Sequence, residues 1–202
     1  MMRYGLTGGI ASGKSTVAAL LREHRFPVLE ADKIAHLLIE PGGAAFEEVV
    51  ARFGGEILDG DRRISHSRLA AIVFNDRERL RQLNGILHPL VEREIARQFA
   101  ELESEGRHSA AFVEAALIFE AGFDRELDGV IVAWCPPEQQ LARLMDRGMS
   151  EAEARGRMAA QMPGDRKLAL ATERIDCSGS LDETRRQVDR LAAKLRLASP
   201  IE

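Results

Sequence analysis

The chain has 202 residues, of which 45% are hydrophobic and 30% charged, and its formal net charge is −4. This composition is typical of one globular domain with a sizeable core, and the slight negative charge gives no general attraction to nucleic acid. We therefore expect no nucleic-acid binding. No apolar run reaches the roughly 18–20 residues of a membrane span, so we expect no membrane insertion either. Cys135 and Cys177 form no metal-binding pattern, so we expect reduced thiols in a cytoplasmic protein.

Five short apolar stretches predict β-strands. They lie at residues 3–7, 27–31, 109–115, 129–135 and 173–177. Segments with the apolar spacing of amphipathic helices separate them. This alternation predicts an α/β fold in which helices cover both faces of a five-stranded parallel sheet. A mostly helical stretch, 33–107, follows the second strand at the place where open α/β sheets bind ligands.

Residues 5–16, GLTGGIASGKST, contain the most specific motif of the chain. Gly8-x-x-x-x-Gly13-Lys14-Ser15 matches the P-loop pattern GxxxxGK[ST], with a predicted strand before it and a predicted helix after it. Glycines let backbone N–H groups turn inward around an anion, and the helix N-terminus adds positive charge. We expect Lys14 to hold the β- and γ-phosphates of ATP, and Ser15 to offer its hydroxyl to Mg²⁺. The predicted ATP-binding residues are Gly8, Gly9, Ile10, Ala11, Ser12, Gly13, Lys14, Ser15 and Thr16.

A GTP-dependent switch is one alternative for a P-loop protein. Such a protein carries a base-reading NKxD element, and this sequence has none. Its only DxxG stretch begins at Asp176, far too late in the chain for a γ-phosphate sensor. The sequence therefore favours a kinase.

A kinase needs a carboxylate near the acceptor hydroxyl, and Asp32 is the candidate. It ends the stretch PVLEAD, at the carboxyl end of the second predicted strand. In a parallel sheet this end lies beside the P-loop, so we expect Asp32 to face the γ-phosphate and to accept or orient the acceptor's proton. The alternative is an N-cap for a helix beginning at Lys33. Glu30 is interpreted as a packing or salt-bridge carboxylate.

Two arginines are candidates for stabilising the transferred charge. Arg143 and Arg147 lie four residues apart in RLMDRG, on one face of a predicted helix. There they can clamp a polyphosphate. The alternative is a solvated helix face that pairs with Asp146 or Glu138. Gly148 suits a hinge or a helix end, consistent with a lid that closes over ATP.

Two further side chains carry open interpretations. Glu114 follows the third predicted strand, where an acid can help hold Mg²⁺ directly or through water. A strand-end ion pair with an arginine is an equal alternative. His88 precedes Pro89, and the pair is predicted to open a helix over 90–99, since proline suits a first helical turn. His88 is then either a capping or packing residue or a functional one.

Several segments together resemble the dephospho-CoA kinase family. In chain order they are GLTGGIASGKSTVA, EAD, HPLV, LIFE, QQLARLMDRG and AAQMPGDRK, and the resemblance runs from about residue 3 to residue 195. It implies transfer of a phosphoryl group from ATP to the ribose 3′-hydroxyl of dephospho-CoA, giving CoA and ADP in the last step of CoA biosynthesis. ATP and dephospho-CoA are then the partners, and Mg²⁺ the cofactor, of a monomer or small homo-oligomer.

The resemblance also implies an architecture and a set of roles. The fold is a three-layer P-loop NTPase with a core (1–32, 108–142, 171–202), a helical acceptor-binding insertion (33–107) and a small lid (143–170). The expected catalytic residues are Lys14, Asp32, Arg143 and Arg147. The expected acceptor-binding residues are Thr7, Asp32 and His88, and the expected metal ligands are Ser15 and Glu114. Gln140 belongs to the family's lid pattern, and Gln161 with Lys167 matches its "Q…K" segment.

The chain departs from the family pattern at a few positions, which are Glu30, Ser65, His66, Glu114, Ala116, Thr172 and Cys177. Ser65 and His66 replace an Asp-Arg pair, which removes a salt-bridging arginine from the insertion. This change would favour the main alternative, another P-loop kinase of a small hydroxyl compound or a nucleoside monophosphate. A non-catalytic nucleotide-binding or regulatory protein is the third functional hypothesis.

Overall fold

The computed structural model describes residues 1–74 and 76–198. Its strands are β1 (Met2–Thr7), β2 (Val28–Glu30), β3 (Ala110–Glu114), β4 (Gly129–Trp134) and β5 (Glu173–Asp176). They form one parallel sheet in the order β2-β3-β1-β4-β5. The predicted α/β fold with a five-stranded parallel sheet is confirmed, and each predicted strand is found with its ends shifted by at most one residue.

Ten α-helices lie in the described part of the chain. They are α1 (Lys14–Glu23), α2 (Ala31–Leu38), α3 (Phe46–Phe53), α4 (His66–Phe74), α5 (Arg77–Ser104), α6 (Ile118–Ala121), α7 (Pro137–Asp146), α8 (Glu151–Ala159), α9 (Gly164–Leu170) and α10 (Leu181–Ala198). Short 3₁₀ segments occupy Gly55–Ile57 and Phe123–Glu126. The chain divides into two compact units, one of Met1–Glu30 with the chain from Phe99 onward, and one of Ala31–Gln98.

The core of the first unit lies between the sheet and the helices α1 and α10. Its fully or nearly fully buried members include Leu6, Val17, Leu21, Phe112, Ile131 and Val188. Parallel strands covered by helices read as continuous apolar runs, which is why β4 has the sequence GVIVAW. Burial of each large side chain contributes roughly 1.5–3 kcal/mol, so this cluster fixes α1 and the loop before it against the sheet.

The carboxyl edge of the sheet brings polar side chains together. Leu6 lies opposite Glu114 in the register of β1 and β3, and Glu30 lies opposite the same Glu114 in the register of β2 and β3. Thr7 ends β1 opposite Val132. Because the strands are parallel and in register, Thr7, Glu30 and Glu114 all lie at the edge where open α/β sheets bind ligands.

The second unit is a helical body with its own core. Buried residues of α3, α4 and α5 form this core with residues of the segments between the helices, and they include Ile39, Val49, Phe53, Ile57, Ile64, Leu69 and Leu83. Arg68 of α4 donates from its guanidinium to the carbonyl oxygens of Glu56 and Leu58. It therefore ties the 3₁₀ segment to α4, close to the Ser65-His66 pair.

The predicted helix start at His88-Pro89 is wrong. Helix α5 begins at Arg77 and passes through Pro89. Leu83 and Ile86 before the proline and Leu90 after it pack into the same cluster. Burial of several large apolar side chains outweighs the roughly 3 kcal/mol that an interior proline costs, so the helix continues. His88 is thus a half-buried residue of the helix interior and not a cap.

The alternative role of Asp32 as an N-cap is also wrong. Helix α2 begins at Ala31, immediately after β2, so Asp32 lies within its first turn. The favourable interaction of a carboxylate with the helix dipole still applies at this position. The side chain of Asp32 is exposed.

In the described part of the chain, no helix combines the length and the apolar character that crossing a membrane requires.

Candidate active site

The P-loop of the first unit has a backbone that only glycine permits at Gly13. This residue caps α1 with φ 109°, in the left-handed region. A Cβ atom there would lie 2.8 Å from Cβ and 2.9 Å from Sγ of Cys177. The second glycine of the motif is therefore required both by the turn into α1 and by the close approach of the residue after β5.

The first part of the loop packs equally tightly against β4 and α7. A Cβ atom on Gly8 would lie 2.3 Å from the carbonyl oxygen of Ala133. A Cβ atom on Gly9 would lie 2.5 Å from Oε1 of Gln140, whose amide nitrogen donates to the carbonyl of Cys135 at 2.9 Å. The glycines thus let the loop backbone lie directly against β4 and α7. Gln140 is a supporting residue that the sequence identified only through the family pattern.

Arg143 holds the loop from the α7 side. Its Nη1 donates to the carbonyl oxygen of Ala11 at 3.1 Å, and its Nη2 donates to the carbonyl oxygen of Cys177 at 2.7 Å. One guanidinium therefore joins the P-loop to the segment after β5. The structure places Arg143 beside the predicted ATP-binding residues, with its terminal nitrogens used by backbone carbonyls. Its catalytic role stays a prediction.

Arg147 is placed differently from Arg143. It is exposed and forms the C-cap of α7, where Gly148 with φ 86° ends the helix. The Met149 N–H donates to the Leu144 carbonyl, and the Gly148 N–H donates to the Met145 carbonyl, which is a Schellman arrangement. The helix end expected at Gly148 is present. The lid hinge and the role of Arg147 stay predictions.

The loop has the features of an anion cradle. The first turn of α1, which is described in full, carries no acidic residue, so its N-terminal dipole is available to an anion. Ser12 is 1% exposed, and its Oγ is one of the buried polar atoms without a partner among the described residues. A buried hydroxyl without a partner points to a ligand or a water that completes it. A polyphosphate fits this donor set.

Two carboxylates at the carboxyl edge of the sheet contact residues of α1. The Ser15 hydroxyl lies 3.4 Å from Oε1 of Glu114. Glu30, the register neighbour of Glu114, forms an ion pair with Arg22 at 2.7 Å, as its interpretation as a salt-bridge carboxylate predicts. Hydroxyl and carboxylate oxygens are hard ligands suited to Mg²⁺. Within residues 1–74 and 76–198, no group of three or more His, Cys, Asp or Glu side chains could hold a metal ion by itself.

A buried lysine organises the loop after β3. Lys167 of α9 is 0% exposed, and its Nζ donates to the Ala116 carbonyl at 2.6 Å and lies 2.9 Å from Oε1 of Glu120. The Thr7 hydroxyl donates to the same Ala116 carbonyl at 3.1 Å. Burial by itself raises the pKa of Glu120, but the hydrogen bonds from Lys167 and from the Met162 N–H outweigh it, so the pKa of this carboxyl is lowered. The surroundings of Glu120 therefore favour its carboxylate form.

Gln161 also contacts the P-loop. Its Oε1 accepts a hydrogen bond from the Ile10 N–H at 2.8 Å. In the sequence, Gln161 and Lys167 were identified only through the family's "Q…K" pattern. No periodicity or charge pattern predicts that Gln161 contacts a residue about 150 positions away, or that Lys167 contacts one about 50 positions away.

Asp32 and His88 belong to the second unit. Asp32 is exposed in the first turn of α2, and His88 is half-buried within α5. Their contacts with an acceptor stay predictions.

Comparison with known proteins identifies the family. A family model described as dephospho-CoA kinase matches residues 2–183. A relative named dephospho-CoA kinase from Symbiobacterium thermophilum is 47% identical over 190 residues, which are 94% of this chain and 79% of that protein. A second relative of the same name, from Carboxydothermus hydrogenoformans, is 45% identical and is aligned over 91% of this chain and 89% of its own length.

A solved structure agrees with these relatives. The dephospho-CoA kinase from Campylobacter jejuni aligns with a TM-score of 0.74 at 30% identity, covering 97% of this chain and 98% of that one. The similarity therefore covers both the core with the P-loop and the helical unit.

Proposed function

The chain belongs to the dephospho-CoA kinase family, and we propose that it transfers the γ-phosphate of ATP to the ribose 3′-hydroxyl of dephospho-CoA, giving CoA and ADP. The observation that carries this proposal is the glycine cradle between β1 and α1, with the packed glycines Gly8, Gly9 and Gly13 and the buried hydroxyl of Ser12, which has no partner among the described residues. Phosphoryl transfer asks the protein mainly to position the reactants and to stabilise charge, and this cradle supplies both.

Within this proposal the P-loop holds the phosphates of ATP. Backbone N–H groups at the start of α1 face the anion, and Lys14 adds a point charge to the β- and γ-phosphates. Arg143 keeps the loop in shape through the carbonyl of Ala11. Arg147, which is exposed at the end of α7, supplies a guanidinium to the transferred phosphoryl group.

The residues near the start of α1 fit a divalent cation bound with the nucleotide. We assign Ser15 and Glu114 as the protein groups that would hold Mg²⁺, because both are oxygen donors and their oxygens lie 3.4 Å apart. When bound, Mg²⁺ supplies charge neutralisation to the phosphates.

Asp32 is proposed as the residue that accepts the acceptor's proton. The 3′-oxygen forms a bond to the γ-phosphorus, the bond from that phosphorus to the β,γ-bridging oxygen breaks, and ADP leaves. The proton of the 3′-hydroxyl passes to Asp32. Thr7 and His88 are proposed to contact the acceptor, as the resemblance to the family implies.

The position of the new phosphate tests the proposal. The chain is incubated with ATP, Mg²⁺ and dephospho-CoA, and the product is separated and examined by ³¹P NMR. We expect a phosphomonoester on the ribose 3′-oxygen and one ADP per product. ATP hydrolysis without a phosphorylated acceptor, or a phosphate on another hydroxyl, would refute it.

We also propose a cytoplasmic setting, which the two free buried thiols support.

A further inference from the structure

The amide of Gln161 is fixed at one end by the P-loop. Its Oε1 accepts from the Ile10 N–H at 2.8 Å, which sets which end of the amide faces the backbone. The Nε2 group donates no hydrogen bond to another of the described residues. Since the two polar atoms of one amide are about 2 Å apart, this N–H₂ group lies beside the same loop that cradles phosphate. A donor held beside an anion site, without an acceptor among the described residues, is placed to donate to a bound phosphate.

The segment that carries Gln161 is anchored by an ion pair between the buried Lys167 and the less buried Glu120. The Met162 N–H donates to Oε1 of Glu120 at 2.8 Å, so the residue next to Gln161 is fixed by its backbone. The same carboxylate pairs with Lys167, which is 0% exposed and also donates to the Ala116 carbonyl. The segment is thus held by the Met162 backbone bond and by the contacts of Lys167. Gln161 lies directly beside this anchored residue.

We infer that Gln161 is a further residue of the phosphoryl-transfer site, which donates from Nε2 to the γ-phosphate while its Oε1 holds the Ile10 N–H. This inference rests on the proposed function, because it assigns a role at the same nucleotide site. The donor adds a charge-assisted hydrogen bond to the terminal phosphate, the group whose charge changes most during transfer. The interaction exists for ATP and not for ADP.

Two substitutions separate this role from simple support of the loop. Gln161→Glu keeps an oxygen for the Ile10 N–H but replaces the donor with an anionic oxygen. Gln161→Ala removes both interactions. Arg166→Gln is the matched control, since it shifts the charge by the same −1 at an exposed position of α9 whose side chain makes no hydrogen bond or ion pair with the other described residues. Thermal unfolding verifies that each variant is folded.

The readouts are the dissociation constants of ADP and of a non-hydrolysable ATP analogue, together with kcat for dephospho-CoA. For Gln161→Glu we expect the affinity for the ATP analogue and kcat each to fall about 10- to 100-fold, with ADP affinity changed less than about threefold. Gln161→Ala should lower kcat about tenfold or more, and Arg166→Gln should match the unsubstituted protein.

Equal losses of ADP and ATP-analogue affinity in Gln161→Glu would show that Gln161 only shapes the loop, and would overturn the inference. Unchanged values in Gln161→Glu would overturn it as well. The binding measurements need no acceptor, so they are independent of the proposed function. If the unsubstituted protein fails to phosphorylate dephospho-CoA, the proposed function fails while the selective effect on the ATP analogue still tests Gln161.

Discussion

The guanidinium of Arg143 supports Ala11, which has a left-handed backbone with φ 58°. A non-glycine residue in that region costs of the order of 1–3 kcal/mol and persists only where its surroundings enforce it. The 3.1 Å hydrogen bond to the Ala11 carbonyl is one such restraint, and the second bond of Arg143, to the Cys177 carbonyl, links it to the segment after β5. A residue of α7 thus helps to preserve the shape of the phosphate loop.

Arg143→Lys should weaken this support, because one ammonium group cannot reproduce the two-pronged donation of a guanidinium. We expect the KM for ATP to rise about tenfold and the melting temperature to fall by a few degrees, as expected for a loss of about 1–2 kcal/mol. Arg147→Lys is the control for stability and should leave the melting temperature unchanged. An unaltered KM and melting temperature in Arg143→Lys would show that the loop holds its shape without this residue.

Lys14→Ala removes the point charge that we assign to the β- and γ-phosphates. Loss of one such stabilising group costs on the order of 3 kcal/mol of transition-state stabilisation, so kcat should fall by roughly two orders of magnitude. Steady-state kinetics with ATP and dephospho-CoA measures this effect. Near-normal turnover would refute the assignment of the loop.

Asp32→Asn keeps the size of the side chain and removes its ability to accept a proton. Turnover should fall strongly, while the dissociation constant of ATP measured by calorimetry should stay nearly unchanged, since Asp32 is assigned to the acceptor and not to the nucleotide. A collapse of ATP binding would instead make Asp32 a structural residue or a metal ligand.

The two buried cysteines should be unreactive in the native protein. Burial, with a smaller contribution from Cys135, raises the pKa of Cys177 to about 11, and burial also raises the pKa of Cys135. Because the thiolate is the reactive form, iodoacetamide at pH 8 should leave both residues unmodified until urea unfolds the chain. Mass spectrometry before and after unfolding measures the labelling. Rapid labelling of the native protein would contradict the burial of these thiols.

The same shift of Cys177 gives a pH dependence. The unfolded thiol loses its proton near its ordinary pKa of 9.0, whereas the folded thiol retains it up to about 11. The folded state therefore binds more protons in this window, and the free energy of unfolding should decrease as the pH rises from about 9 to about 11. Cys177→Ala should show a smaller decrease over the same range. Equal slopes would contradict the shift.

The sheet and the P-loop could be predicted from the sequence because both depend on local patterns. Apolar runs such as GVIVAW mark buried parallel strands, and the spacing of Gly8, Gly13 and Lys14 is itself the signature of a phosphate cradle. The helix boundary at Pro89 was predicted wrongly, because the local rule for proline was outweighed by the tertiary packing of α5.

The contacts that support the P-loop could not be predicted from the sequence. Gln161 reaches Ile10 across 151 residues, and Arg143 reaches Ala11 across 132. Neither contact follows from residue type or periodicity, since each depends on how α7 and the segment before α9 pack against the loop. The dual use of Arg143 by two backbone carbonyls is likewise visible only in three dimensions.

The choice of acceptor tests the central claim most directly. ADP release from ATP and Mg²⁺ is measured without an acceptor, with dephospho-CoA, and with adenosine monophosphate or shikimate as control acceptors. We predict strong stimulation by dephospho-CoA alone. Stimulation by a control acceptor, or slow hydrolysis that no acceptor changes, would contradict the proposed function while leaving the phosphate loop as a nucleotide site.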